Sequence, residues 1–219
     1  MKKATKRSMF SSAALLTAFG LWTAAVCTID VAAIGPEASS VGFASINRSF
    51  HHLTGVHMSL YDLTDWLSLI PIVFALGFAL LGLYQWIRRR SLAKVDRSIL
   101  ILGGFYLVVI AAFALFEAAV INFRPVLIDG ILEASYPSST TLLVLCVMPT
   151  AMMQLHGRIR RPILRRCSLT VMSAFTAFMV ICRLISGVHW LSDIIGGVLL
   201  STGLVMAYHG LCTLEAEPS

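Results

Sequence analysis

A chain of 219 residues that is 58% hydrophobic and 13% charged falls outside the ordinary soluble class, in which charged residues make up about a quarter of the total. Spans of about 20 residues leave room for five or six helices in one all-α membrane bundle. Residues 1–219 then form a single membrane-embedded domain with no space for a separate soluble one. The formal charge of +6 is confined to clusters between apolar runs, so it follows membrane topology and nucleic acid is not an expected partner.

In chain order, Met-Lys-Lys-Ala-Thr-Lys-Arg followed by an apolar run has the look of a signal peptide, and Ala24-Ala25-Val26-Cys27 is a poor version of a lipoprotein cleavage site. The run continues to about Ile34 without a clear small-x-small processing site, so an uncleaved first span over about residues 9 to 29 is expected. A polar connection of some thirty residues follows, holding Asn47, Arg48, His51, His52, His57 and Asp62 and enough apolar residues for a short interfacial helix. The second span covers about 66 to 87, bracketed by Trp66 and Trp86. The third runs from about Ile99 to Val120, with Glu117 near its far end.

After the loop Asn122 to Tyr136, Pro137 opens a fourth span that ends near Gln154, and Pro149 is expected to bend it. The fifth span covers about Leu169 to Ile185 and the sixth about Leu191 to Leu211. The cysteines at 27, 146, 167, 182 and 212 lack CxxC or metal spacing, so packed thiols are expected rather than disulfides or metal ligands. Gly196-Gly197 permits close helix packing. His156 and His209 lie towards the basic side and receive no catalytic role.

Six spans put alternate loops on opposite sides. Of the 17 Lys and Arg residues, all fall on one side except Arg48, Arg124 and Arg183. By the positive-inside rule that side and both termini are cytoplasmic. Topology disfavours arginines on the external side, so Arg124 and Arg183 point to an anionic ligand or a structural ion pair there. His189 and Asp193 are four residues apart; if Trp190 opens a helix they share one face, and the carboxylate can accept a ring N–H while the other nitrogen stays available for chemistry. Arg183 adds a planar fork of donors suited to phosphate. This set suggests phosphoryl chemistry without an apparent metal or cofactor requirement.

The segments Asn122-Phe123-Arg124-Pro125, Tyr136-Pro137-Ser138-Ser139-Thr140, and Arg183 with His189 and Asp193 can meet on the external surface. Over residues 99–211 the chain resembles the type 2 phosphatidic acid phosphatase family, whose motifs KxxxxxxRP, PSGH and SRxxxxxHxxxD occur in that order. The third is matched by Arg183, His189 and Asp193, with Cys182 in place of the serine; the first by Arg124-Pro125; the second by Pro137-Ser138. The resemblance implies a six-helix bundle with a phosphate pocket at the outer leaflet. In it His189 is the nucleophile, Asp193 orients its ring, Arg124 and Arg183 hold phosphate oxygens, and Ser138 and the amides around Ser139 add donors. Ser138, Ser139 and Thr140 can also cap a helix after Pro137, a role compatible with phosphate binding.

Two departures bear on mechanism. The family's lysine falls on Glu117, and its second-motif histidine, the general acid for the leaving oxygen, falls on Thr140. General acid help is typically worth about 10²–10⁴-fold. The loss leaves several readings: a diphosphate substrate, polyprenyl diphosphate above all, whose leaving group needs no proton; another donor such as Glu117, His51, His52 or His57; noncatalytic binding of a lipid phosphate; or phosphoryl transfer to another lipid.

Overall fold

The computed structural model describes residues 3–215. Lys2, one of the amino-terminal cations counted above, lies outside the described residues. Among the described residues six spans are long and apolar enough to cross a membrane; seven α-helices build them, and there are eight α-helices in all. These are α1 (Lys3–Thr28), α2 (Ala44–Thr54), α3 (Met58–Leu67), α4 (Leu69–Arg89), α5 (Arg97–Ala118), α6 (Ser139–Arg158), α7 (Pro162–Ile185) and α8 (Leu191–Glu215). Between α1 and α2 two short strands, β1 (Ala32–Ala33) and β2 (Ser40–Val41), pair antiparallel.

The chain is therefore an all-α, multi-pass membrane protein, and its outward faces show it. Leu107, Ile110 and Val171 are each more than 60% exposed, a waste of apolar area in water but the expected surface in lipid. Cys27 and Cys167 lie on exposed positions, whereas Cys146 and Cys182 are buried, so packing of the thiols holds for only part of the set.

Helices α6 and α8 form the centre, with half or more of their apolar windows buried. Helix α6 touches α4, α5, α7 and α8. Helices α1 and α8 run antiparallel along their length: Thr5 donates to Thr213 (3.2 Å), the Ser12 hydroxyl to the Gly203 carbonyl (2.8 Å), and the Trp22 indole to the Ser192 carbonyl (3.1 Å). Small residues at the interface allow this approach. A Cβ at Gly196 would sit 2.7 Å from the Tyr136 ring, and one at Gly197 3.1 Å from Thr141. The pair thus lets α8 lie against the start of α6.

Several boundaries differ from the sequence reading. The second span begins at Met58 rather than at 66, because Tyr61 and Thr64 turn inward to meet Arg183 and the helix continues through Asp62 and Asp65. It pauses at Ser68, three residues before Pro71, which cannot donate to the Leu67 carbonyl. The fifth span starts earlier, with Pro162 in the first turn, where its missing N–H costs nothing. Pro149 lies within the unbroken α6.

The basic segments gather at one end of the bundle. Asp96 lies 3.0 Å from Arg89 and 3.8 Å from Arg158, joining the α4–α5 connection to the end of α6. The Gln85 amide also donates to Asp96, and this bond, ahead of the arginines, holds its carboxyl below the ordinary range. The segments carrying Arg124, Ser138 and His189 lie at the opposite ends of the same helices.

Candidate active site

The start of α8 organises the site. The Asp193 carboxylate accepts the Trp190 backbone N–H through Oδ2 at 2.9 Å, the returning half of a capping box in which an acid in the first turn satisfies the N–H at the cap. A second orphan donor, the Ser192 N–H, goes to the Asn47 side chain at 3.1 Å. The buried Asn47 amide also donates to the Gly42 carbonyl and the Ser192 hydroxyl. Residues of the connection between α1 and α3 thereby fix the turn that carries His189.

That turn is held from a second side. The His57 backbone N–H donates to the Ser186 carbonyl (2.9 Å), His51 Nε2 lies 3.1 Å from the Gly187 carbonyl, and the His51 ring tilts against Trp190. His57 Nε2 pairs with the Thr54 carbonyl. Gly187 has φ 71°, and a Cβ there would lie 2.0 Å from the Gly55 carbonyl oxygen. Only glycine combines that left-handed backbone with so close an approach.

The segment from Asn122 to Ser135 is a β-hairpin. The Arg124 N–H donates to the Glu133 carbonyl, the Ser135 N–H to the Asn122 carbonyl, and Ile128 and Ile131 exchange both of their bonds. Asp129 and Gly130 at the tip both have positive φ, 49° and 77°, the two-residue turn for which Asp-Gly is a strong signal. The hairpin docks on α8: the Asn122 amide donates to Asp193 Oδ1 at 2.9 Å and the Trp190 indole to the Phe123 carbonyl at 2.8 Å. The Ser138 N–H reaches the Asp193 backbone carbonyl at 3.2 Å.

His189 and Arg124 meet inside this frame. Arg124 Nη1 lies 3.4 Å from His189 Nε2. Arginine has donors only, so Nε2 is the acceptor and the ring proton resides on Nδ1. Nδ1 lies 3.9 Å from Asp193 Oδ2 and makes no well-aligned hydrogen bond. The expected ring-to-carboxylate bond is thus an ion-pair distance instead, because Oδ2 is engaged by the Trp190 N–H and His189 precedes the helix rather than sharing its face. Burial, then the charges of Arg124 and Arg183, hold the His189 pKa well below the ordinary value, with a backbone contact at Ser135 working weakly the other way. The imidazole is neutral at neutral pH, the form a nucleophile needs.

A cavity of about 440 Å³ opens onto His189 and Arg124. Phe113, Phe116 and Phe123 supply apolar walls, and Glu117, Glu133 and Ser139 polar ones. Arg124 Nε is 2.9 Å from Glu133 Oε2.

Arg183 is 1% exposed and is held by α3. Its Nη1 donates to the Thr64 hydroxyl at 3.0 Å, its Nη2 lies 3.9 Å from Asp65, and its guanidinium covers the Tyr61 ring at 4.7 Å. The same ring faces Arg124 at 5.8 Å, so Tyr61 lies between the two cations.

No family model matches the sequence, and no curated protein sequence matches it. Among solved structures, the crystal structure of the first transmembrane PAP2-type phosphatidylglycerolphosphate phosphatase from Bacillus subtilis superposes with a TM-score of 0.61. The match has 17% sequence identity and covers 95% of this chain and 98% of that one. This chain has the PAP2 fold.

Within the PAP2 fold, the predicted site residues are partly brought together. Arg124, His189, Ser139 and Glu117 share one cavity, and Asp193 lies directly behind His189. The Ser138 hydroxyl is fully buried and accepts from Thr141, its Oγ1 at 3.0 Å, so it caps α6 and does not line the cavity. Thr140 lines a neighbouring cavity of about 350 Å³ with Asp65, Phe113 and Ser139. Among the described residues no group of three or more His, Cys, Asp or Glu side chains could hold a metal ion.

Sequence reasoning missed Glu133, Tyr61, Thr64 and Asp65. The Asp129-Gly130 pair between two apolar stretches was the available sign of a hairpin that sets Glu133 opposite Arg124. For the α3 residues there was no comparable sign, since their partner Arg183 lies more than a hundred residues away.

Proposed function

We propose that this protein is a membrane phosphatase acting on a lipid phosphate or diphosphate at the outer face, by way of a phosphohistidine on His189. The observation that carries the reading is a neutral, buried imidazole whose Nε2 lies 3.4 Å from an arginine donor, in a cavity with aromatic walls. Nε2 attacks phosphorus, and the bond to the leaving oxygen breaks with its electron pair on that oxygen. Arg124 carries the developing charge on the nonbridging oxygens. As the ring becomes cationic, Asp193 offsets its charge from 3.9 Å. Arg183, anchored on α3 beside Tyr61, supplies the second fixed positive charge.

The proposed substrate is a diphosphate, with polyprenyl diphosphate favoured. A phosphate or lipid monophosphate leaves without needing a proton, which suits a chain with Thr140 where the resembling family has its acid. Phosphatidylglycerolphosphate, named for the matched structure, is the natural monophosphate comparison. The gathering of the basic segments at the other end of the bundle supports an external site by the positive-inside rule.

The test is phosphate release by purified protein in detergent from a polyprenyl diphosphate and from phosphatidylglycerolphosphate, alongside His189→Ala. Faster release from the diphosphate, abolished in the variant, is expected. Equal release from both refutes the leaving-group argument, and activity retained without His189 removes the nucleophile. In a chain with its own cysteines replaced by serine, single cysteines introduced at Gly130 and Arg160 report sidedness, with only the first expected to label from outside.

A second reading, noncatalytic binding of a lipid phosphate, draws on the ion pairs that already engage both arginines, Glu133 with Arg124 and Asp65 with Arg183. Binding of the diphosphate with no release under any condition would favour it.

A further inference from the structure

The phosphohistidine reaction has two halves, and the second requires a base for water. Resting on the phosphatase reading above, we propose that Glu133 is the general base that activates the water hydrolysing phosphorylated His189. The hairpin places this carboxylate by three linked contacts. Its backbone carbonyl accepts the Arg124 N–H at 3.0 Å, its Oε2 lies 2.9 Å from Arg124 Nε, and Arg124 Nη1 lies 3.4 Å from His189 Nε2. Glu133 is thus one guanidinium removed from the atom that would carry the phosphoryl group, on the wall of the same cavity.

Its chemistry suits this half of the reaction and not the first. A carboxylate held against a guanidinium is an acceptor only, with no proton to give a leaving oxygen and lone pairs to take one from water. Glu133 Oε2 lies against Arg124 Nε, and the residue lines the cavity into which a water would enter. The side chain is 39% exposed, so a proton taken up can pass to solvent. Glu117 lines the cavity as well, but no contact joins it to Arg124 or His189, and Thr140 faces the neighbouring cavity with Asp65.

In the step itself, the water oxygen forms a bond to phosphorus while one of its protons passes to Glu133. The P–N bond breaks, its electron pair returns to Nε2, and the imidazole is neutral again with its proton on Nδ1. Inorganic phosphate leaves, and Glu133 releases its proton to solvent. Atoms and charge balance without a co-reactant.

Glu133→Gln keeps the size and an acceptor for Arg124 Nε while removing the base. Purified wild type, Glu133→Gln, Glu133→Asp and His189→Ala are mixed with polyprenyl diphosphate labelled with ³²P on the terminal phosphate and quenched in alkaline detergent, where phosphohistidine survives. Wild type is expected to show low steady labelling, and Glu133→Gln at least tenfold more label on His189 with phosphate release slowed about 10²-fold or more, the usual worth of a general base. Glu133→Asp restores part of the release. A role limited to positioning Arg124 lowers labelling and release in parallel, and that result overturns the proposal, as does unchanged turnover in Glu133→Gln. Failure of the phosphatase reading looks different: wild type gives neither label nor phosphate, or His189→Ala keeps both. Thermal melting of each variant identifies any that is unfolded, and Glu133→Asp then decides by the same label-to-release ratio.

Discussion

Gly187→Ala separates the cost of a left-handed residue from the cost of moving the loop that carries His189. Gly130 at the hairpin tip has φ 77° and Gly187 has φ 71°, so alanine at either pays the left-handed penalty of roughly 1–2 kcal/mol. At Gly130 an added Cβ meets nothing within 4 Å, whereas at Gly187 it would lie 2.0 Å from the Gly55 oxygen and 3.1 Å from Val56 Cα. An ordinary carbon-to-oxygen contact is about 3.3 Å, so the 186–189 turn or the Gly55 turn must move by about 1 Å. Overpacking of this kind adds about 1–3 kcal/mol, giving a total of about 2–5 kcal/mol. A 1 Å misplacement of a reacting group can cost about 10²-fold in rate. Phosphate release and thermal melting of the two purified variants in detergent measure both effects. Gly130→Ala is expected within about twofold of wild-type activity, and Gly187→Ala about 10²-fold lower with a clearly reduced melting temperature. If the two variants match in both measurements, the contact with Gly55 does not position His189.

Arg124→Lys keeps the charge but loses the fork that meets Glu133 and His189 at once, and kcat/KM is expected to fall by about 10- to 100-fold. Asn122→Ala removes the amide donor from the buried Asp193 Oδ1, a loss of about 1.5–3 kcal/mol for a bond to a charged group, read as a lower melting temperature. The depressed pKa of buried His189 makes stability depend on pH in one direction. Below about pH 6.5 the unfolded chain takes up a proton that the folded chain refuses, so stability falls by up to about 1.4 kcal/mol per pH unit. Above that pH His189 contributes no slope. Thermal melting from pH 7.5 to 5.5 should show this loss, and it should shrink in His189→Gln; equal slopes in the two proteins refute the assignment.

The number and order of the spans, their all-α class and the separation of the basic clusters from Arg124, Arg183 and His189 were readable from the sequence. Runs of apolar residues and clusters of charge are properties of the chain itself, and a bilayer acts on each span almost independently of the others. The spacing of Arg183, His189 and Asp193 was equally plain. What each of them touches was decided by tertiary structure. Asp193 takes the Trp190 N–H and the Asn122 amide and stands 3.9 Å from the ring it was expected to bond. Ser138 spends its hydroxyl on Thr141. Arg183 finds Thr64 and Asp65 on a helix that begins earlier than the hydropathy suggested, and Glu133 enters the cavity only because a hairpin folds it against Arg124. A side chain's bonds depend on which groups arrive from distant segments and compete for the same donors, and that competition exists only after the helices have packed.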